Sequence, residues 1–489
     1  MPQFTSEEIE YSRRLDVWKW SDFPEINNLV QEVYSMYFVH IYSRRDAVQR
    51  AKNHLKVLLI DLYLAFLDDP KLTIGLPMYP GAYSPRSIWR SIHVTSMIIP
   101  IVKQAAKVGL LELWTGNEIQ KRVSRIRPTT TLKKLFKKSL GEGYYFELQN
   151  SLRPPIVFRK SKDKHTNYLP HEVPNLEEKE MTQIARTAGV IIKYNARINC
   201  AYIDIPDLNG KKLKVSKSGR QATYLHLSQS KKHIQQIYND FSMYSGGRFY
   251  GGFWQSMPKE DRARLYIDDE PTIELDYSGM HINALYSLAG NSRYESNDDP
   301  YMISHPSYNL TNEDRRRLAK QITLIALNAE NETIALNAIR NWIRTEEDIH
   351  KALPNLSDVT IKPILNALKV KHKKISDAFC TGVCKTLMNL DALIMEQIIE
   401  TSVEHNILIL PIHDSIIVQI KNFNTAKKMM QDAYRNVMQD NIGINTTGNH
   451  TGIKALTPLT TQRTNRYKAN LSRWKARRAL FHYPKSYEK

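Results

Sequence analysis

Apolar residues in the first part of the chain recur at the spacing of a helix. Between positions 55 and 66 they fall three and four residues apart, on one helical face: Leu55, Leu58, Leu59, Leu62 and Phe66. The run Asp68-Asp69-Pro70 then ends the pattern, because proline cannot continue a helix. We therefore predict a helix over this segment. A second apolar stretch, 91–108, contains Pro100, so we expect it to kink or to form two pieces.

A turn and a basic strand follow these predicted helices. Residues 110–114 lead to a turn at 115–118, and the piece 121–127 alternates like a strand. Helix, helix and basic hairpin is the order of a winged-helix module. Like charges then lie side by side on the next predicted helix, which favours a polyanion against them: Lys133, Lys134, Lys137 and Lys138. We interpret residues 1–140 as a mainly helical, winged-helix-like DNA-docking domain. A helical bundle with a solvated basic face is the alternative.

The pattern between 141 and 245 is mixed. Residues 177–187 have helical spacing, 190–205 alternate like strands, and 231–243 have helical spacing again. None of these segments carries a chemical motif.

Two later segments combine apolar alternation with an aspartate at the end of a strand. Residues 272–279 predict a strand that ends at Asp276 and is followed by a helical run, 280–288. Residues 407–420 predict a hairpin with Asp414 in its turn. Either aspartate alone is explained as a helix or turn cap. A carboxylate at the tip of buried strands is nevertheless costly without a cation, so the pair points to a shared metal site.

A basic helical segment lies between these two aspartates. In the run 315–328, Arg316 and Lys320 are one helical turn apart on the same face. Two neighbouring cations on an apolar helix can bind a triphosphate. A surface helix with solvated basic side chains is the alternative.

Composition adds a preference for polyanionic partners. The chain has 489 residues with 69 Lys plus Arg against 50 Asp plus Glu, a net charge of +19. Its three cysteines cannot form a disulfide framework, so we expect reduced thiols and a cytoplasmic protein. The polar start predicts no signal peptide, and no apolar run has membrane-spanning length.

The C-terminal segment, 431–489, is predicted to be helical and basic. From residue 461 onward aromatic side chains alternate with cations, among them Arg466, Tyr467 and Trp474. This mixture suits phosphate contacts and base stacking on a nucleic-acid strand. A basic amphipathic helix that packs on the protein itself is the alternative.

The ordered motifs resemble the palm and fingers of family A DNA polymerases, which are related to single-subunit phage-type RNA polymerases. They match, in chain order, Gly247-Arg248 with Gln255 and Pro258, then Asp276-Tyr277-Ser278, Arg316-Arg317-Leu318-Ala319-Lys320 and His413-Asp414. The resemblance covers about 246–420, a little over a third of the chain.

The resemblance implies a role for each catalytic position. Asp276 and Asp414, assisted by the carbonyl of Tyr277, would bind two Mg²⁺ ions, with Mn²⁺ as a possible substitute. Arg316 and Lys320 would bind the triphosphate of the incoming nucleotide. Lys320 would also donate a proton to the leaving pyrophosphate.

The same resemblance implies contacts to the nucleic acid and an overall layout. Arg248 and Gln255 would position the primer end, and His413 would orient its terminus. The expected fold is α/β (α+β): a right-hand polymerase with an antiparallel palm sheet and helical fingers and thumb. Palm and fingers would occupy 246–430, and a thumb-like or connecting region 141–245.

Four positions depart from the family pattern. His281 replaces the glutamate that blocks a ribose 2′-hydroxyl, and Ser415 replaces a glutamate after the second aspartate. Leu324 and Asn328 replace two aromatic residues of the nucleotide pocket. Sugar choice is therefore left open, although the bulk of His281 favours deoxynucleotides.

We predict a template-directed DNA polymerase without a proofreading exonuclease, since no cluster of acids in strand context precedes the palm. Its partners would be a DNA primer-template and nucleoside triphosphates, with no membrane. A single-subunit RNA polymerase or primase-like enzyme is the first alternative. A non-catalytic DNA-binding replication or defence protein is the second.

Overall fold

The structure of the chain is a computed structural model. It describes residues 4–116, 123–141, 153–160, 163, 165–210, 212–215, 223–290, 299–303, 310–447 and 462–480.

The N-terminal part combines helices with a small sheet. In chain order its elements are α1 (Ser6–Glu10), β1 (Ser12–Arg14), α2 (Pro24–Tyr37), α3 (Arg45–Asp68), β2 (Thr73–Leu76), α4 (Ile98–Lys107), β3 (Leu111–Trp114), β4 (Ser124–Pro128) and α5 (Thr130–Leu140). The sheet has the order β1-β2-β4-β3, and its own apolar core lies under α3. Helix α3 ends at Asp68 as predicted. Pro100 lies in the first turn of α4, where the missing N–H costs no helical hydrogen bond.

The predicted basic hairpin is present as β3 and β4, but its described arginines bind the protein itself. Arg127 forms ion pairs with Glu8 and Glu112 at 2.5 Å each. The Nε atom of Arg125 donates to the carbonyl oxygen of Ile9 at 3.0 Å. Residues 117–122, which include Lys121 and the second half of the predicted turn, lie outside the described residues. DNA docking by this hairpin stays a prediction.

The connecting part contains β5 (Ile156–Arg159), α6 (Glu178–Asn199), β6 (Ile203–Asp204), β7 (Lys212–Val215), β8 (Thr223–His226) and β9 (Gln235–Asn239). Two sequence predictions are wrong here. The segment 190–199 is helical because α6 continues, burying Ile191, Tyr194 and Ile198 at helical spacing. The segment 235–239 is a strand because β9 pairs with β5.

The remaining elements are β10 (Gly246–Tyr250), α7 (Lys259–Arg262), β11 (Tyr266–Ile267), β12 (Glu270–Tyr277), α8 (Met280–Leu288), α9 (Asn312–Asn328), α10 (Glu332–Ile343), α11 (Glu347–Ala352), α12 (Asp358–Lys371), α13 (Cys384–Glu404), β13 (Ile409–Ile412), β14 (Ser415–Gln419), α14 (Phe423–Met438), β15 (Ile444–Thr447) and α15 (Asn465–Leu480). Strand β9 also pairs with β10 in antiparallel orientation. The largest sheet has the order β13-β14-β12-β11-β6, and β15 pairs with β12.

The fold is therefore mixed α/β, as expected. The pairs within the largest sheet are antiparallel. Helices α13 and α14 pack beside it, and α9, α10 and α12 form a helical group that contacts α13. One extensive apolar core joins these elements. No helix among the described residues is long and apolar enough to cross a membrane.

The described part of the C-terminal segment packs on the protein. Tyr467 and Trp474 of α15 are buried against Tyr202. Arg466 makes two hydrogen bonds to the carboxylate of Asp204, at 2.8 and 3.0 Å. The interpretation that these three residues of α15 contact a nucleic-acid strand is wrong, because their polar and aromatic groups are already occupied. Residues 481–489 lie outside the described residues.

Candidate active site

The two aspartates at strand ends lie at the same edge of the largest sheet. Asp276 is opposite Ser415 in the pairing of β12 with β14. Asp414 immediately precedes Ser415, in the two-residue turn that joins β13 to β14. The two carboxylates are therefore neighbours across this strand pair. The turn is strained, because His413 has a φ of 50°, a value that residues other than glycine seldom adopt.

The alternation of β12 separates this polar edge from the core. Leu275 and Tyr277 are buried among apolar residues, and the Tyr277 hydroxyl donates to a backbone carbonyl of α14 at 2.5 Å. Glu274 and Asp276 point to the opposite face, since side chains alternate along a strand. Glu274 is paired with Arg262, two of whose guanidinium nitrogens lie 3.0 and 3.1 Å from its carboxylate oxygens. Asp276 thus faces the site while Glu274 is neutralised beside it.

Burial and repulsion from neighbouring carboxylates destabilise the charged forms of both aspartates. Burial, followed by the negative charge of Asp414, raises the pKa of Asp276 to about 7, and the nearby Lys320 opposes this rise. Burial, followed by the charge of Asp391, raises the pKa of Asp414 above its usual range. Ionised carboxylates held this close favour a bound cation between them.

The donor set fits a hard divalent ion. Mg²⁺ prefers carboxylate oxygens and typically keeps several waters, so one or two carboxylates suffice to hold it beside a phosphate ligand. Asp276 and Asp414 supply two such groups at one sheet edge. No cluster of three or more histidine, cysteine or acidic side chains suited to a metal occurs in the described part of the chain. A dedicated all-protein metal cage is therefore not present among those residues.

Helix α9 presents its cations toward this edge. Arg316 and Lys320 are exposed on α9, and both lie over the ring of Tyr301, at 5.5 and 5.8 Å from its centroid. Arg316 also pairs with Asp299, its Nε atom 2.6 Å from the carboxylate. Burial raises the pKa of Tyr301 to about 12, and the charge of Asp276 contributes to the rise. Tyr301 therefore contacts both cations of α9 and lies within electrostatic range of the two aspartates.

The remaining two positions of the predicted nucleotide pocket lie further along the same helix. Leu324 is half-buried, and Asn328 is exposed at the last residue of α9. Helix α9 begins at Asn312, three residues before the predicted run, and ends at Asn328 as that run does, so both residues follow Lys320 on one helical face. They offer an apolar surface and an amide, and no aromatic ring.

A third carboxylate, which the sequence patterns did not reveal, occupies the other side of the site. Asp391 of α13 is buried and forms an ion pair with Arg248 of β10. The Nε2 atom of His281 lies 3.0 Å from the same carboxylate. Hydrogen bonds from His281 and the charge of Arg248 outweigh burial and lower the pKa of Asp391. Its only signal in the sequence was a lone acid among apolar residues of a helix.

The approach of β10 to α13 requires a glycine before Arg248. Gly247 has a φ of 85°, and a Cβ atom there would lie 2.8 Å from the ring of Tyr238 and 3.4 Å from Ala392. No larger residue fits this position without displacing its neighbours. The Gly247-Arg248 motif therefore places the guanidinium against Asp391.

Gln255 hydrogen-bonds to the backbone of neighbouring segments. Its Nε2 atom donates to the carbonyl oxygens of Phe249 and Pro411 at 3.0 Å each, and its Oε1 atom accepts from the N–H of Gly251 at 2.9 Å. The side-chain amide is fully used in joining β10 to β13. Contact between Gln255 and a primer stays a prediction, and in this structure its polar atoms pair with backbone groups of the protein.

His413 stays beside the aspartate turn. Its ring packs edge-on against Tyr250, with the centroids 5.5 Å apart. Burial, aided by the charge of Arg248, lowers the pKa of His413 to about 4. A neutral imidazole therefore stands next to Asp414 at neutral pH.

The comparisons with known proteins do not place the chain in a family. No family model matches the sequence, and no curated protein is similar to it. Among solved structures, the chain is similar to the POL domain of Pol1 from M. smegmatis in complex with DNA primer-template and dNTP. The identity is 10%, the TM-score is 0.27, and the match covers 90% of this chain and 79% of that chain.

Proposed function

We propose that the chain is a template-directed DNA polymerase of family A type without a proofreading exonuclease. One observation carries the proposal: Asp276 and Asp414 meet at one sheet edge, within reach of the charge of Lys320 on α9. Paired carboxylates opposite a basic helix suit phosphoryl transfer, in which a metal site and cations stabilise the developing charge on phosphate oxygens. In this proposal the largest sheet is the palm, and α9 with its neighbours forms the fingers.

The bond changes follow from this arrangement. The 3′-hydroxyl of a primer attacks the α-phosphorus of the incoming triphosphate and loses its proton to solvent water, the bond from the α-phosphorus to the bridging oxygen of the β-phosphate breaks, and pyrophosphate leaves. Arg316 and Lys320 bind the triphosphate, and Lys320 gives a proton to pyrophosphate. Asp276 and Asp414, with the carbonyl of Tyr277, would hold two Mg²⁺ ions. When bound, such ions would lower the pKa of the attacking hydroxyl and neutralise charge on the leaving phosphates.

The residues around Asp391, on the other side of the site, would position the primer. Arg248 is fixed by Asp391, so its guanidinium is held in one place beside the aspartate turn. We assign Arg248 and the neutral His413 to positioning of the primer terminus. His281 lies next to this pair on α8, where it borders the sugar of the bound nucleotide.

Two features favour a second candidate, a single-subunit RNA polymerase or primase-like enzyme. His281, which is held by Asp391, stands where the DNA polymerase pattern has a glutamate that blocks a ribose 2′-hydroxyl. Ser415 stands where the DNA polymerase pattern has a glutamate, as in the RNA-making enzymes of the resemblance, and its hydroxyl donates to Glu274 at 3.0 Å. Both candidates use the same chemistry and differ in sugar choice.

Primer extension tests the proposal directly. A labelled primer-template is incubated with Mg²⁺ or Mn²⁺ and with dNTPs and rNTPs separately, beside Asp276→Ala and Asp414→Ala proteins. We expect extension by the unmodified chain and none by either variant. The preferred nucleotide decides between DNA and RNA synthesis. Absence of extension with intact DNA binding would overturn the proposal and favour a non-catalytic DNA-binding protein.

A further inference from the structure

A cavity of about 710 Å³ lies where β1 and the loop after it meet β5, β9 and β10. Its size falls within the range of roughly 300–1,000 Å³ that is typical of small-ligand pockets. Among the described residues its lining carries seven lysine or arginine side chains and two aspartates. Such an excess of positive charge around a cavity is unfavourable unless an anion occupies it.

Carboxylates neutralise only part of this charge. Asp16 forms an ion pair with Arg153, and the ammonium of Lys19 lies 3.7 Å from the same side chain. Arg13 pairs with the buried Asp61 at 2.7 Å. The carboxylates of Asp16 and Asp61 thus form ion pairs with three cations of the cavity lining. The charge of Asp16 also acts on Arg14 and Lys231, and for both of these cations the effect of burial is larger.

Three further cations of the lining have no such partner. Within the described ranges, no carboxylate lies within 4 Å of the charged groups of Arg14, Arg159 or Lys231. Burial, followed by the charges of Arg13 and Arg14, lowers the pKa of Lys231. Burial likewise lowers the pKa of Arg159. These groups repel one another across the cavity, and a phosphate oxygen would relieve the repulsion.

Aromatic groups accompany the cations and connect the cavity to the candidate active site. Trp18 and Tyr250 line the cavity. The ring of Tyr250 lies 5.5 Å from that of His413, in the turn that carries Asp414. Arg159 is close enough to affect the pKa of Tyr250. A ligand in the cavity would therefore reach the primer side of the aspartate pair.

We propose that this cavity binds the phosphates of a single nucleic-acid strand, next to the aspartate turn. Cations that contact phosphates, together with aromatic rings for base stacking, are the features of single-strand binding sites. A cavity of about 710 Å³ has room for a nucleotide-sized segment of one strand. The site is separate from the triphosphate cations of α9. It does not depend on catalysis by Asp276.

The test measures binding of a fluorescein-labelled single-stranded 12-mer DNA by anisotropy over a salt series, in EDTA and with the full chain. The cavity variant is Arg159→Gln/Lys231→Gln. The matched control is Lys103→Gln/Lys107→Gln, which removes the same charge from exposed positions of α4. For single strands, each phosphate contact contributes about 0.7 to the magnitude of the slope of log K against log salt. The slope of the cavity variant should therefore be smaller in magnitude by about 1.4. The control should keep the slope of the unmodified chain.

Two further measurements make the result decisive. A charge-preserving variant, Arg159→Lys/Lys231→Arg, should keep most of the slope, which separates loss of charge from loss of fold. ATP is added as a competitor, because a free nucleotide offers the same phosphate chemistry as a strand. An equal slope for the cavity and control variants would overturn the proposal. A second outcome would also overturn it: the cavity variant loses ATP binding but binds the strand as the unmodified chain does. The cavity would then be a site for free nucleotides. Because EDTA removes metal-dependent chemistry, neither result depends on polymerase activity.

Discussion

His281 and Asp391 lie 110 residues apart in sequence, yet the Nε2 atom of His281 is 3.0 Å from the carboxylate of Asp391. The contact joins α8, which follows the first aspartate, to α13, which precedes the second. Asp391 also binds Arg248, so one buried carboxylate organises two residues of the candidate site. Substitutions at position 281 therefore act on the primer side as well as on the nucleotide.

A glutamate at position 281 is expected to disrupt this contact. In His281→Glu a second carboxylate would face Asp391 and compete for Arg248, which destabilises a buried charge. We expect primer extension to fall at least about tenfold, since a lost charged hydrogen bond costs roughly 1.5–3 kcal/mol. The double variant His281→Glu/Asp391→Asn should recover part of the activity, and its ratio of dNTP to rNTP incorporation should rise. Equal activity of the single variant and the unmodified chain would contradict this account.

Replacing Asp276 by asparagine should raise the stability of the metal-free protein at pH 8 and lower its activity. Its pKa of about 7 is above the ordinary value of 3.8, so the folded protein binds the proton more tightly than the unfolded chain. Stability conferred by this proton is present at low pH and is lost as the pH rises from about 4 to 7. Without metal at pH 8, Asp276→Asn should therefore be more stable by roughly 1–3 kcal/mol.

The same variant should lose primer extension by roughly a thousandfold or more, as expected for a group at the centre of catalysis. Denaturant unfolding in EDTA at pH 5 and pH 8, beside an extension assay, checks both effects. Added Mg²⁺ should raise the stability of the unmodified chain more than that of the variant, because it binds the folded form. If Asp276→Asn is less stable than the unmodified chain at pH 8, the prediction is wrong. Other groups of the protein would then stabilise the ionised carboxylate.

The cations of α9 should control nucleotide binding. Lys320→Ala and Arg316→Ala are each expected to raise the KM for nucleotides about 10- to 100-fold. The reason is that each variant loses one charged hydrogen bond to phosphate. Arg317→Ala is the matched control on the same helix, because Arg317 is turned to Asp314 and Glu346. Steady-state kinetics of primer extension measure the effect. A KM change of the same size in Arg317→Ala would show that the charge of the helix as a whole acts, and not these two positions.

Tyr301 should act through its ring. The cations of Arg316 and Lys320 both lie over this ring, which positions them by cation–π attraction. Tyr301→Phe keeps the ring and should change the nucleotide KM less than about threefold. Tyr301→Ala should raise it about tenfold, because each lost contact contributes roughly 0.5–1 kcal/mol. If Tyr301→Phe is as impaired as Tyr301→Ala, the hydroxyl is the important group.

The C-terminal helix should contribute to stability through Arg466. Its guanidinium binds the carboxylate of Asp204, which is buried, so Arg466→Ala leaves a buried charge without its partner. The expected loss in the free energy of unfolding is about 3–5 kcal/mol. Arg473→Ala, at an exposed position of the same helix, should change it by less than about 0.5 kcal/mol. Urea unfolding of the three proteins checks this, and equal stabilities would show that the pair is not needed to hold α15 in place.

Local patterns were sufficient for the elements that carry the candidate site. The period of two in 272–276 and the period of three to four in 315–328 predicted β12 and α9, and α8 has the predicted bounds. These segments were predictable because each buries one regular face, so its spacing alone selects strand or helix. The hairpin with Asp414 in its turn followed from the same reasoning. Where a segment is short or apolar on several faces, as in 190–199 and 235–239, tertiary pairing decided the outcome.

By itself, the sequence determined the mixed fold, the two strands that end in aspartates and the basic helix between them. Only the tertiary structure decided which side chains share the site. Asp391 and Tyr301 carry no periodic signal, because their partners lie on elements distant in the chain. Gln255 and Arg466 have residue types that suit nucleic acid, yet protein carbonyls and carboxylates already pair with them. A spacing pattern reports which face of an element is buried, whereas the partner of a polar group is set by how distant elements pack.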